Sequence, residues 1–131
     1  MTRLSQSKFT ISAGAMIIND QRQILLLNHV LRPRSGWGLP GGFINRGEQA
    51  EEAVRREVRE ETSLEMENLR LYGMRTIRRH IEILFIAKPI GMAKVMSREI
   101  YELGWFDANS LPEDMTRGSK SLIEKVLNPE I

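Results

Sequence analysis

Apolar positions along the chain keep two different periods, and the switch between them predicts the elements. Phe9, Ile11, Ala13, Ala15 and Ile17 alternate with mostly polar or small residues, the period-two pattern of a strand. Asn19-Asp20-Gln21-Arg22 then forms a turn, and Ile24-Leu25-Leu26-Leu27 is a continuous apolar run suited to a strand buried on both faces. The stretch 32–42 is too rich in Gly and Pro for regular structure and reads as a shaped loop. A helical period follows from about Glu48 to Thr62. Two strands come next, Leu69 to Ile77 and His80 to Ala87, the second with Ile81, Ile83, Phe85 and Ala87 on one face. Ile100 to Phe106 gives another short strand, and Leu122, Ile123, Val126 and Leu127 mark a closing amphipathic helix. Strands on both sides of one internal helix predict the α/β class, with a mixed sheet packed between helices.

Composition narrows this picture only slightly. A chain of 131 residues suits one compact domain spanning 1–131, with enough length to bury a real core. A net charge of +2 is too small to argue for nucleic acid. With no Cys, disulfides and thiolate metal sites are excluded. The first residues lack an apolar leader region and no segment has membrane-spanning length, so cytoplasmic residence without a membrane partner is expected.

The candidate chemistry lies on the internal helix, in Arg56-Glu57-Val58-Arg59-Glu60-Glu61. At about 100° per residue, Glu60 and Glu61 fall within about 60° of Glu57, as do Ala50, Ala53 and Val54. The core-facing stripe thus begins apolar and ends acidic. Glu48, Glu51, Glu52, Arg55 and Arg59 already supply a solvated face on the other side. Clustered carboxylates repel one another unless a cation neutralises them. All-oxygen donors suit Mg²⁺ or Mn²⁺ better than zinc or copper, and Mg²⁺ held by few carboxylates points towards phosphate chemistry. A solvated helix laced with Glu/Arg pairs at i, i+4, such as Glu51/Arg55 and Arg56/Glu60, is the competing reading of the same run.

These residues carry a resemblance. Gly42, five residues, Glu48, seven residues, then Arg56 to Leu64 is similar to the Nudix box, G-x5-E-x7-R-E-U-x-E-E-x-G-U with U aliphatic, at eight of its nine specified positions. The departure is Ser63 where the family has Gly, just past the helix end where a left-handed backbone is common. The resemblance implies a Nudix-like α/β/α sandwich and metal-dependent hydrolysis of a phosphoanhydride in a nucleoside diphosphate linked to another moiety. It implies Glu57, Glu60 and Glu61 as metal ligands, joined by the Gly41 carbonyl, with Arg56 orienting a carboxylate and Glu48 supporting the loop-helix junction. A further acid is expected from a later loop, Glu99 before Glu102, and the general base is either Glu57 or Glu99. Arg34, Arg75 and Arg79 are candidate phosphate contacts, while His29 and His80 read as structural.

Two marks that sort substrates within the family are missing, since Arg79 and Ile81-Glu82 stand where a Pro or a Tyr would. A nucleoside triphosphate, a nucleotide sugar or ADP-ribose, and a capped or triphosphorylated RNA end all stay open, the RNA end not favoured. The family also holds nucleotide-binding sensors that do not cleave, and homodimers are common in it. Gly36-Trp37-Gly38-Leu39-Pro40-Gly41 satisfies the dinucleotide fingerprint G-x-G-x-x-G, but Pro33 and Pro40 deny it the required strand and helix.

Overall fold

The computed structural model describes residues 7–30 and 36–129. In chain order it contains β1 (Thr10–Ile17), β2 (Ile24–His29), β3 (Trp37–Gly38), β4 (Gly41–Phe43), α1 (Ala50–Thr62), β5 (Glu65–Ile77), β6 (His80–Ile90), β7 (Ile100–Phe106) and α2 (Arg117–Leu127).

The strand layer is made of two sheets. One has the order β4-β1-β6-β5 and is mixed, because β1 runs parallel to β6 while β4 and β5 are antiparallel to their neighbours. The other, β3-β2-β7, is antiparallel. Strands β1 and β2 feed a core on each side, as period-two alternation requires of strands buried on both faces. Ala13, Ala15, Ile17, Leu25 and Leu27 pack with Ala53, Val54 and Val58 of α1. Met16, Ile24 and Leu26 pack on the other side with Leu84 and with Ile123 and Leu127 of α2. The result is the expected α/β/α sandwich. Among the described residues no helix is long and apolar enough to cross a membrane.

Three local expectations need correction. The Gly/Pro-rich stretch is not wholly irregular: Trp37–Gly38 pairs with β2, and Gly41–Phe43 pairs with β1 in the register Ala13↔Gly42. Short edge strands need few side chains to hold them, so composition gave them no signal. Strands β5 and β6 are longer than periodicity indicates, beginning at Glu65 and ending at Ile90, since backbone pairing of Glu65 with Ile90 continues where alternation has stopped. The helix starts at Ala50, which leaves Glu48 in the turn before it. There the Glu48 carboxylate accepts the Asn45 N–H (2.9 Å), and Glu52 accepts the Gln49 N–H (2.8 Å), the reciprocal bond of a capping box.

At the other end of α1 the Ser63 substitution takes the conformation that glycine would favour, with φ 63° and ψ 6°, and its N–H bonds to the Arg59 carbonyl. The Thr62 hydroxyl helps close this end by donating to the Val58 carbonyl (2.6 Å). A left-handed residue with a Cβ is strained by roughly 1 kcal/mol or slightly more. Ser63→Gly is therefore expected to raise stability by roughly 0.5–1 kcal/mol, after the greater unfolded-state entropy of glycine is subtracted. Thermal unfolding would register this as an upward Tm shift of a few degrees. A strong change in metal affinity instead would mean that Ser63 acts on the site.

Candidate active site

The site is built where β4 crosses the C-terminal half of α1. Gly41 has φ +148°, and a Cβ there would sit 2.2 Å from the Ala13 carbonyl oxygen, so only glycine lets β4 lie this close to β1. Gly42 faces the helix: a Cβ on it would lie 2.5 Å from Cδ and 2.6 Å from Oε2 of Glu57. One residue's absent side chain holds the backbone against the sheet, and the next makes room for a carboxylate. Glu61 reaches the same corner, where its Oε1 accepts the Gly41 N–H at 2.9 Å. Its residue is only 6% exposed, and Nε2 of His29 lies 3.9 Å from its other oxygen. A carboxylate buried to that depth is costly without donors or cations around it.

Arg56 organises the acidic groups from the other side. Its Nε and Nη2 form a fork on the Glu48 carboxylate at 2.7 and 3.0 Å, and Nη1 donates to Glu57 (2.7 Å) and more weakly to Glu60 (3.4 Å). Nη2 also donates to the Phe43 carbonyl, which ties the helix to the end of β4. The Arg56 hydrogen bond, aided by the Asn45 N–H, holds the Glu48 carboxyl below its ordinary value. The bond to Glu48 in turn raises Arg56 above its ordinary value, against the effect of burial and with help from Glu57. The guanidinium is thus a permanent cation that fixes one Glu57 oxygen. Glu48, expected at the loop-helix junction, is found there as its partner.

The three expected ligands are not equivalent. Glu61 is buried, Glu57 is half-buried, and Glu60 is exposed. The buried stripe of α1 runs through Ala53, Val54, Val58, Glu61 and Thr62, displaced from the one centred on Glu57, so Glu60 stands at its margin. Among the described residues no three carboxylate or imidazole groups converge into a ready coordination shell. In this arrangement Arg56 pairs with both Glu57 and Glu60.

The remaining candidates are scattered. Glu99 is exposed; its carbonyl accepts the Val30 N–H, which puts its backbone beside the β2 end that carries His29. Glu102 accepts from the Asn28 side chain (3.3 Å). Arg75 is committed to Glu82 (2.7 Å) and to the Ser119 hydroxyl (3.1 Å), so it links the sheet to the first turn of α2. Arg79 lies exposed in the β5–β6 turn. Arg34 falls outside the described residues. Sequence reasoning read His29 and His80 as structural; it did not foresee the proximity of His29 to Glu61, which depends on strand placement, nor the cluster of Ser12, His80 and Glu82, which with Gly41, Gly42 and Phe43 lines a cavity of about 140 Å³ beside the corner. Two other cavities, of about 360 and 470 Å³, flank Arg22 at the far end of α2 and share no residue with this one.

A sandwich whose helix presses carboxylates against a glycine corner belongs to a known class, and comparison agrees. The family model described as NUDIX domain matches residues 8–126, and the chain belongs to the Nudix family. It is similar to an ADP-ribose pyrophosphatase from Methanocaldococcus jannaschii, 39% identical over 104 residues that cover 74% of this chain and 62% of that protein. An NAD-capped RNA hydrolase from Pasteurella multocida is 38% identical over 124 residues, 90% of this chain and 47% of that protein. The chain therefore spans about half to three-fifths of the length of these two relatives. Among solved structures, the MutT NUDIX hydrolase from Burkholderia pseudomallei superposes with a TM-score of 0.81 at 30% identity, over 92% of this chain and 99% of that one.

Proposed function

We propose that this chain is a single-domain, divalent-cation-dependent pyrophosphohydrolase that cleaves the phosphoanhydride of a nucleoside diphosphate linked to another moiety. The observation that carries this reading is the corner itself: Glu61 accepts the Gly41 N–H, and Glu57 packs against Gly42, where any side chain would displace it. Such a cradle of oxygen donors fits a hard cation. Glu57, Glu60, Glu61 and the Gly41 carbonyl would hold Mg²⁺ or Mn²⁺. When bound, the cation offsets phosphate charge and lowers the pKa of attacking water. Arg56 keeps Glu57 aimed by occupying its Oε1, which leaves Oε2 beside Gly42 to take the proton of that water. Glu99 is the alternative base, from the β7 side.

ADP-ribose and NAD, which appear in the names of two relatives, are both diphosphates that join a nucleoside to a second group, and this supports the proposed substrate class. The second reading is a nucleotide sensor that cleaves weakly or not at all. It draws support from the way Arg56 already pairs with Glu57 and Glu60.

One experiment separates the two. The protein is incubated with Mg²⁺ or Mn²⁺ and a panel of nucleoside triphosphates, nucleotide sugars, ADP-ribose, dinucleoside polyphosphates and RNA with 5′-triphosphate or NAD ends, and products are identified by mass spectrometry. Cation-dependent release of a nucleoside monophosphate, lost in Glu60→Gln, is the expected result. Nucleotide binding without any product would favour the sensor.

A further inference from the structure

The Nudix box accounts for the phosphate end of the site but leaves the 140 Å³ cavity next to it unexplained. The cavity lies over the β4-β1-β6 part of the four-stranded sheet. The register Phe43↔Ser12↔Glu82↔Arg75 places these four side chains in one row on one face, with His80 two residues along β6. Glu82 is largely buried. One of its oxygens, Oε1, accepts from Arg75 Nε at 2.7 Å. The other, Oε2, points towards Gly14, where a Cβ would come within 2.9 Å of it. Glycine at 14 thus leaves room for that oxygen.

The His80 ring is fixed between the hydroxyls of Thr10 (2.6 Å, at Nδ1) and Ser12 (2.7 Å, at Nε2). Phe43 meets it edge-on, with centroids 5.9 Å apart, yet stays 62% exposed at the mouth of the cavity. An exposed aromatic ring beside a partly open floor that carries polar groups suits a flat, hydrogen-bonding group that stacks on one side. A volume of 140 Å³ is below the roughly 300–1,000 Å³ of sites that enclose drug-sized ligands, so it accommodates one ring system and not a whole nucleotide.

The polar groups specify which ring system. An ionised carboxylate only accepts hydrogen bonds, and each of its oxygens can take two. It pairs best with two adjacent donors and is repelled by ring nitrogens that carry lone pairs. Next to it in the row, the Ser12 hydroxyl can donate to a carbonyl in the tautomer where it accepts from His80 Nε2. The sequence carbonyl, ring N–H, exocyclic amino group is the edge of guanine. Adenine presents a bare ring nitrogen at the central position, as does cytosine, and uracil has a single donor.

Building on the hydrolase reading, we infer that this cavity is a base-selecting subsite in which Glu82, held by Arg75, reads the paired donors of a guanine-type base while Phe43 stacks on it. Guanine nucleotides are therefore the preferred substrates, in contrast to the ADP-ribose and NAD in two relatives' names and in line with the 8-oxo-dGDP in the name of a third, from Mus musculus. Glu82 acts on specificity and takes no part in bond cleavage.

The test is calorimetric binding of GMP, IMP and AMP to the cation-free protein, followed by steady-state kinetics of GTP and ITP with Mg²⁺. IMP lacks only the exocyclic amino group, so GMP is expected to bind about 10-fold or more tighter than IMP, the range for a bond to a charged acceptor. In Glu82→Gln this GMP/IMP ratio collapses towards unity, with KM for GTP rising and kcat little changed. Gly14→Ala, which keeps the Arg75 pair but crowds Oε2, reproduces the collapse and serves if Glu82→Gln folds poorly. Equal affinity for the three monophosphates, or a GMP/IMP ratio that survives both variants, overturns the inference. Preferential GMP binding with no turnover of any nucleotide would leave the subsite standing and remove the hydrolase.

Discussion

Glu61→Gln is expected to lower kcat by a factor of roughly 10² to 10³ while the protein stays folded. The amide oxygen can still accept the Gly41 N–H, which the carboxylate takes at 2.9 Å, so the corner between β4 and α1 should survive. What disappears is a negative charge at a position only 6% exposed, where water screens little. A cation bound there would lose one anionic donor, and charge building up on the phosphate would lose part of its compensation. Single-turnover kinetics with far-ultraviolet circular dichroism of the same sample checks both halves. Full activity in a folded variant would remove Glu61 from the site, and a loss of fold would make it a structural carboxylate.

Two neighbouring glycines should fail in opposite ways. Gly41→Ala places a Cβ 2.2 Å from a backbone carbonyl of the central strand, at a φ of +148° that L-residues avoid. Backbone cannot step aside without parting β4 from β1, so a loss of roughly 3 kcal/mol or more is expected, read as a lower urea midpoint. In Gly42→Ala the nearest atoms to the new Cβ are the end of the Glu57 side chain, which can rotate away. Its stability should stay within roughly 1 kcal/mol of the parent, but the carboxylate is displaced from the corner and kcat should fall by about 10²-fold. If Gly42→Ala kept its activity, the position of Glu57 against β4 would not matter for turnover. The pair separates what the corner does for folding from what it does for chemistry.

The two glycines also mark the limit of what could be read from the chain. The box from Gly42 to Leu64 was legible because spacing along a helix translates directly into a face, and eight specified positions fell in place. That α1 and α2 each pack one face against the strands followed from their apolar stripes. The sequence left open what Ser63 does to the turn after α1, and the structure puts it in the left-handed conformation that helix ends commonly use.

Tertiary packing decided the rest. The stripe of α1 is displaced from Glu57 because burial depends on what the helix lies against, and Val58 and Thr62 have the deeper contact. Periodicity on one element cannot show that. Arg75 looked free to bind phosphate until the antiparallel pairing of β5 with β6 set it across from Glu82. Ser12, Phe43 and Glu82, far apart in the chain, became neighbours only through the parallel register of β1 with β6 and the return of β4. The sequence by itself determined the longer strands, the two helices and the acidic residues available for phosphate chemistry, all of which follow from local periods and spacing, while the short strands β3 and β4 escaped it. Only the tertiary structure decided which carboxylates meet the glycine corner and which side chains line the cavity beside it, because strand register is a long-range property that no local pattern carries.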